Sequence, residues 1–156
     1  FSSSFSAGAE TLLQTLQRMP LGAPHNGPLT SRFGNRANPF TGSGAEDHSG
    51  LDFKGNTGEA IRVTANGKVA FAGVQGGYGN VVRITHGHGF ETVYAHLSRI
   101  DVEVGQSLQA GHVVGLLGST GRSTGPHLHY EVVRNGERLD PENYLNLDVS
   151  LLRAAN

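Results

Sequence analysis

Short stretches rich in β-branched and aromatic residues fill most of the chain after Pro28, and glycines or Asn-Gly pairs separate them. Stretches of this length and composition are typical of β-strands. Their spacing favours an antiparallel sheet, sandwich or barrel, so we predict an all-β fold with a barrel-sandwich-like core. The predicted strands are Ile61–Thr64, Lys68–Ala72, Val81–Thr85, Phe90–Leu97, Val113–Leu117 and His127–Val133.

Two further patterns predict local structure. The Asn-Gly pairs at 66–67 and 135–136 predict two-residue hairpin turns. Near the start, Leu12, Leu16 and Met19 recur at helical spacing and Pro20 ends the pattern, which predicts one short amphipathic helix.

These patterns divide the chain into a helical lead-in (1–27), a main domain (28–144) and a C-terminal tail (145–156). The lead-in either packs against the domain or lies over a functional cleft and holds the protein latent. The chain starts with Phe1, so we expect a processed protein or a fragment of a longer one.

Composition narrows the range of functions. Twelve basic residues stand against thirteen acidic ones, which gives no reason to expect nucleic-acid binding. No apolar stretch is long enough to predict a membrane span. The chain has no cysteine, so any tight zinc site must use His, Asp or Glu.

The first candidate site lies in the segment 127–132. Because side chains alternate along a strand, His127, His129 and Glu131 share one face, and the apolar residues between them face the core. The two histidines are then about 7 Å apart at Cα, so from spacing alone both could bind one metal ion. The same pattern also fits an ordinary solvent-exposed face.

Two other segments carry candidate chemistry. His48 and Asp52 would be roughly 13 Å apart in a flat strand, so a shared metal requires the backbone to bend, which Gly50 permits. In the second segment, alternation places Tyr94 and His96 on one face and the residues beside them in the core. A polar edge strand explains this second pattern equally well.

The other four histidines lie in glycine-rich contexts. We expect them to be solvated turn residues and not ligands; they are His25, His86, His88 and His112.

Three segments in this order resemble one known family. They are Ser31-Arg32-Phe33-Gly34 followed by 48–52, then Tyr94-Ala95-His96-Leu97, then 118–129, which ends in Gly125-Pro126-His127-Leu128-His129. The pattern is similar to that of the lysostaphin-like, or LytM-type, zinc metallopeptidases, which hydrolyse peptidoglycan. The resemblance covers about residues 28 to 144.

The resemblance implies a division of roles among these residues. It makes His48, Asp52 and His129 the ligands of one Zn²⁺ per chain, and it makes His96 and His127 catalytic residues that do not bind the metal. Either catalytic histidine could move the proton of the attacking water, and the sequence does not distinguish them. Glu131 either orients a histidine or is a solvated carboxylate. The family also has an active-site tyrosine, for which we find no match in the sequence.

The resemblance also implies a substrate and a location. Family members cut glycine bridges or D-alanyl cross-links in peptidoglycan peptides. The stretch 38–42 and the segment 125–131 look more like the D,D-endopeptidases of Gram-negative envelopes, which act outside the cytoplasm, in the periplasm.

Two alternatives lie in other functional classes. One is a non-catalytic wall-binding or amidase-activating module on the same fold. The other is a biotinyl or lipoyl carrier domain, which segments 65–69, 104–106 and 110–115 resemble. A carrier needs a lysine at a hairpin tip, and Lys68 lies in no such motif.

Overall fold

A computed structural model describes residues 11–37 and 45–145, and antiparallel β-strands are its main elements. A helix, α1, covers residues 11–18, and a short 3₁₀ turn covers Gly76–Tyr78. The remaining elements are β1 (Leu29–Ser31), β2 (Gly34–Ala37), β3 (Ala45–His48), β4 (Leu51–Lys54), β5 (Ala60–Arg62), β6 (Gly67–Val74), β7 (Asn80–Gly87), β8 (Phe90–Leu97), β9 (Arg99–Ile100), β10 (Ser107–Leu108), β11 (Val113–Leu116), β12 (His127–Arg134), β13 (Glu137–Leu139) and α2 (Glu142–Leu145).

Strand β12 lies in the middle of the larger sheet, between β4 and β8. The strands of that sheet follow the order β1-β4-β12-β8-β7-β6-β10, and β13 pairs with the end of β12. A second sheet has the order β5-β11-β9, and β2 pairs with β3. Every pairing is antiparallel, so the predicted all-β antiparallel class is confirmed.

One hydrophobic core joins the two sheets. Ile61 and Val114 of the smaller sheet are fully buried in the same cluster as Leu128, Tyr130 and Val132 of β12. The predicted inward face of β12 is therefore correct. Burial of each such side chain contributes about 1.5–3 kcal/mol.

All six predicted strands are present, with ends within two residues of the predicted ones. Seven strands were not predicted: β1 to β4, β9, β10 and β13. Each has only two to four residues. Such lengths are too short to show an alternation in the sequence.

Of the two predicted hairpins, one is correct. Arg134 pairs with Glu137 across Asn135 and Gly136, whose φ angles of 52° and 82° fit a tight two-residue turn. The hairpin at Asn66-Gly67 is wrong, because β5 pairs with β11 and β6 pairs with β7 and β10.

The predicted N-terminal helix is confirmed as α1, although its apolar residues are only partly buried. Met19 packs on the core, whereas Leu12 is 59% exposed. The backbone N–H of Asn66 donates to the carbonyl of Gln17 at 2.9 Å, so the end of α1 is bonded to the main domain.

His86 is not the solvated turn residue that we expected. It lies in β7, is fully buried, and its Nδ1 is 2.8 Å from the carbonyl oxygen of Asn66. Because a carbonyl only accepts, the neutral ring carries its proton on Nδ1, and Nε2 lies 2.7 Å from Oγ1 of Thr92. Burial is the main reason that the pKa of His86 falls to about 4, and the nearby charge of Arg18 lowers it further.

This buried histidine predicts a loss of stability in acid. The folded-state pKa of about 4 is below the unfolded value of about 6.5, so the unfolded state binds the proton more tightly. The contribution is intact above pH 6.5 and is lost as the pH falls toward 4. Between pH 7 and pH 4.5 we expect the parent to lose roughly 2 kcal/mol more unfolding free energy than His86→Gln, measured by urea denaturation.

The exposed neighbour His88 provides the matched control, since His88→Gln should keep the parental pH slope. An NMR titration of the His86 ring checks the same point without a variant. A midpoint near 6.5 in the folded protein would contradict the prediction.

Candidate metal and catalytic site

The candidate residues from all three sequence segments meet in one open cleft. The cleft lies at the end of the larger sheet where β12 begins. Its lining residues are His48, Ser49, Asp52, Gly77, Tyr78, His96, Arg122, His127 and His129.

The predicted bend between His48 and Asp52 is present. His48 is the last residue of β3, which pairs with β2, while Asp52 lies in β4 of the larger sheet. The chain turns at Gly50, where an added Cβ would collide with the carbonyl of Tyr130. As a result, Nε2 of His48 lies 3.3 Å from Oδ2 of Asp52.

Strand register brings His129 to the same place. His129 is paired directly with Asp52 across the β4–β12 ladder, and its Nδ1 is 3.0 Å from Oδ1 of Asp52. One ligand atom from each of His48, Asp52 and His129 lies within 4.8 Å of the others. Donors about 2.0–2.2 Å from a tetrahedral zinc are about 3.3–3.5 Å apart, so this group fits a metal ion.

Glu131 holds His129 from behind. Its carboxylate is buried, and Oε2 accepts from Nε2 of His129 at 2.8 Å, from Ser49 at 2.8 Å and from Tyr78 at 2.7 Å. Arg138 donates to the other oxygen at 3.2 Å. Of the two roles considered for Glu131, the structure shows the orienting one and not a solvated carboxylate.

Charges in the group of His48, Asp52 and His129 stabilise one another. Burial alone would raise the pKa of Asp52, but hydrogen bonds from His129 and His48 hold it well below its usual value. Burial likewise favours a neutral His129, yet its bonds to Asp52 and Glu131 raise its pKa to about 9. The bonds to His129, Tyr78 and Ser49 outweigh burial at Glu131 and lower its pKa to about 2. Both carboxylates are therefore ionised at neutral pH.

His96 reaches the cleft through a β-bulge in β8. The prediction that Tyr94 and His96 share one face of this strand is therefore wrong. Asn80 pairs with Leu97 and Val82 with Tyr94, so β8 has one extra residue. His96 adopts φ 62° at this point, and alternation fails. Tyr94 consequently faces the main core with Tyr130 instead of sharing a face with His96.

His96 and His127 lie side by side in the cleft, with ring centroids 4.7 Å apart. Nδ1 of His96 donates to the carbonyl of Thr120 at 2.8 Å, and Nδ1 of His127 donates to that of Gly125 at 2.9 Å. Each ring therefore presents Nε2 to the cleft. Nε2 of His127 is 3.9 Å from Oδ1 of Asp52, and His127 is not part of the compact ligand group.

The other histidines lie outside the cleft. His88 and His112 are exposed, as expected, whereas the His25 side chain is only 7% exposed and its Nε2 lies 3.0 Å from Glu59. None of the cleft-lining residues belongs to the described part of the lead-in, 11–27.

Sequence reasoning did not identify Tyr78 or Arg122 as site residues. Tyr94 and Tyr130 are buried in the core, and Tyr144 packs against Phe90, so Tyr78 is the tyrosine that lines the cleft. It lies in the turn between β6 and β7, 30 residues after the first candidate ligand, His48, in the sequence. Its signal in the sequence is a single aromatic residue among glycines at 76–79.

A His-Asp-His cluster beside two further histidines, in an open cleft of an antiparallel fold, is the arrangement of a metal-dependent hydrolase. The model of Peptidase family M23 matches residues 46–141, more than half of the chain. The chain therefore belongs to peptidase family M23.

Named relatives agree with this assignment. The DD-carboxypeptidase/endopeptidase Mpg of Neisseria meningitidis is 45% identical over 113 residues, which are 72% of this chain and 26% of the relative. The peptidoglycan DD-endopeptidase ShyA of Vibrio cholerae is 34% identical over 148 residues, 94% of this chain and 33% of the relative. The chain thus spans only about a quarter to a third of the length of these curated relatives.

Solved structures show the same fold. A zinc-containing peptidase from Vibrio cholerae superposes with a TM-score of 0.71 at 35% identity, covering 81% of this chain and 39% of that one. The catalytic domain of lysostaphin from Staphylococcus simulans gives 0.69 at 33% identity, covering 78% of this chain and 94% of that one.

The carboxylate behind His129 gives a testable prediction. Glu131→Gln keeps the shape but removes the charge that orients the ring, so zinc affinity should fall about 10- to 100-fold. Competition with a chromophoric chelator measures this affinity. Glu91→Gln, on the neighbouring strand, is the matched control and should bind zinc as the parent does. An unchanged affinity in Glu131→Gln would show that the carboxylate does not support the metal site.

Proposed function

We propose that this chain is a zinc-dependent endopeptidase domain that hydrolyses D,D-peptide cross-links of bacterial peptidoglycan. The observation that carries the proposal is the compact group of His48, Asp52 and His129 beside His96 and His127 in one cleft. We propose that the first three bind zinc and that the last two are the catalytic histidines.

The donor set suits one zinc ion per chain. Two imidazole nitrogens and a carboxylate oxygen are ligands that zinc accepts, and three protein ligands are typical of a catalytic site with an open fourth position. When bound there, zinc would make water nucleophilic at neutral pH and polarise the scissile carbonyl. Nδ1 of His129 and Nε2 of His48 are the nitrogens that would bind the metal, because their other nitrogens are bonded to Glu131 and to the carbonyl of Arg32, respectively.

The two other histidines would move protons. Imidazole is suited to this task near neutral pH, and both rings present Nε2 to the cleft. Burial is the main cause of the lowered pKa of His96, which favours its neutral form. We assign proton transfer from the attacking water and to the leaving amine to His96 and His127 jointly.

The relatives support a D,D-specificity. Mpg is named a DD-carboxypeptidase/endopeptidase and ShyA a peptidoglycan DD-endopeptidase. The stretch 38–42, one of the two segments that suggested this specificity in the sequence, lies outside the described residues. The proposed partners are peptidoglycan peptide stems and cross-bridges.

This substrate implies action outside the cytoplasm, and we propose the periplasm. No helix among residues 11–37 and 45–145 is long and apolar enough to cross a membrane.

The non-catalytic alternatives lack a comparable observation. An amidase activator needs no complete ligand set, whereas this cleft contains one. A carrier domain needs its lysine at a hairpin tip, and Lys68 lies within β6, paired with Thr85 and Ser107.

Substitutions should separate metal binding from catalysis. Asp52→Ala and His129→Ala should lose zinc and activity together. His96→Ala and His127→Ala should keep about one zinc per chain but lose turnover by about 10²- to 10⁴-fold. Metal analysis and digestion of purified wall material measure the two properties.

The exposed His112 supplies the control, because His112→Ala should match the parent in both assays. If His96→Ala and His127→Ala digested wall material at the parental rate, the assignment of catalytic histidines would be incorrect.

Product analysis tests the bond that is cut. Sacculi digested by the zinc-loaded protein should release peptides cleaved at D-alanyl cross-links, identified by mass spectrometry, and a chelator should stop their release. A pentaglycine substrate serves as the comparison. Cleavage of pentaglycine, with intact D-alanyl cross-links, would contradict the proposed specificity.

A further inference from the structure

Arg122 lines the same cleft as the metal cluster and the catalytic histidines, and its side chain is exposed. It lies in the loop 118–126, between β11 and β12. Nothing in the mechanism above uses it.

Among the arginines whose side chains the structure describes, Arg122 is the one whose side chain has no hydrogen bond, ion pair or ring contact with a described residue. The seven others each bond to a carboxylate, an amide or a carbonyl oxygen; they are Arg18, Arg32, Arg62, Arg83, Arg99, Arg134 and Arg138. A guanidinium has five N–H donors and keeps its charge at every physiological pH. The lining of the cleft therefore includes a cationic side chain that no described group pairs with.

The backbone at Arg122 is held firmly. Its N–H donates to the carbonyl of Gly77 at 2.8 Å. Gly79 and Gly121 approach each other so closely that a Cβ on either would collide with the backbone of the opposite loop. The 3₁₀ turn and the loop 118–126 therefore form one wall of the cleft, and the base of the Arg122 side chain has a defined place on it.

We propose that Arg122 binds the free carboxylate of the substrate residue that supplies the amine of the scissile bond. This inference rests on the proposed function and deepens it. In a D,D cross-link the amine-donating centre keeps a carboxylate on the same carbon atom, and a stem ending in D-Ala-D-Ala does too. A glycine bridge has no carboxylate at this position.

The chemistry of arginine suits this ligand. The planar guanidinium fork matches a carboxylate with two parallel hydrogen bonds, which fixes orientation as well as charge. A carboxylate held there would align the substrate on one side of the metal group. Arg122 would thus select D,D-bonds over glycine bridges.

A matched pair of substrates tests the proposal. One is a cross-linked dimeric peptide whose amine-donating D-centre carries a free carboxylate, and the other is the same dimer with that group converted to a carboxamide. The zinc-loaded parent should cleave the free acid with a kcat/KM on the order of 10- to 100-fold higher than that of the amide. Arg122→Gln should lose this preference by lowering kcat/KM for the acid alone.

Three further measurements complete the design. Arg122→Lys should retain part of the preference, since an ammonium keeps the charge without the fork. Arg134→Gln makes the same charge change at the opposite end of β12, where the side chain contacts Phe90, and should equal the parent. Zinc content and thermal stability should be the same in all variants.

The outcomes separate this inference from the proposed function. Equal cleavage of both dimers by the parent, or an equal loss on both in Arg122→Gln, would overturn the role of Arg122 while leaving the peptidase intact. If the parent cleaves neither dimer, the proposed function fails. Calorimetric binding of the two dimers to parent and Arg122→Gln then tests the carboxylate contact directly, and equal affinities would refute it.

Discussion

Each of the four histidines in the cleft is fixed by an acceptor that cannot donate a hydrogen bond, and the chemistry of the cleft depends on this constraint. A carbonyl or carboxylate oxygen takes the N–H of one ring nitrogen, so the other nitrogen faces the cleft. At His48 and His129 this second nitrogen lies beside Asp52, and it would offer its lone pair when a metal is bound. The four pairs are His48 with Arg32, His129 with Glu131, His96 with Thr120, and His127 with Gly125. Without these bonds the rings could rotate or exchange tautomers, and no defined set of donors would exist.

These acceptors come from different parts of the chain, so the site exists only when the sheet and its loops are assembled. Glu131 lies two residues after His129 on the same strand, and ladder pairing fixes Asp52 opposite His129. The carbonyls of Thr120 and Gly125 belong to the loop that also carries Arg122. The hydroxyl of Thr120 donates to the carbonyl of Leu97 at 2.7 Å, which ties this loop to the bulged end of β8. The left-handed backbone at His96 costs on the order of 1–3 kcal/mol, and this bond helps to hold it.

Sequence patterns predicted the long strands, and six alternating residues, 127–132, correctly placed His127, His129 and Glu131 on one face of β12. They failed where one residue breaks the period. The bulge at His96 inverted the predicted direction of Tyr94, and nothing in the segment 93–97 indicates an extra residue. We expected His86 in a solvated turn because glycines follow it. Its burial is possible because it hydrogen-bonds to Asn66, 20 residues earlier, and to Thr92 on the neighbouring strand, and local sequence indicates neither contact. The grouping of His48, Asp52 and His129 depended on family resemblance, since spacing alone also admitted His127.

The acidic residues of the cleft already have partners, which explains why the side chain of Arg122 has none among the described residues. Asp52 is hydrogen-bonded to His48 and His129, and Glu131 is buried against His129 and Arg138. Both acids are therefore hydrogen-bonded to partners within the described structure, and neither pairs with Arg122. A divalent ion held by a single carboxylate and two neutral imidazoles would add net positive charge. Such an ion, together with Arg122, would make the cleft more positive, which would favour the proposed substrate with a carboxylate next to the bond to be cut.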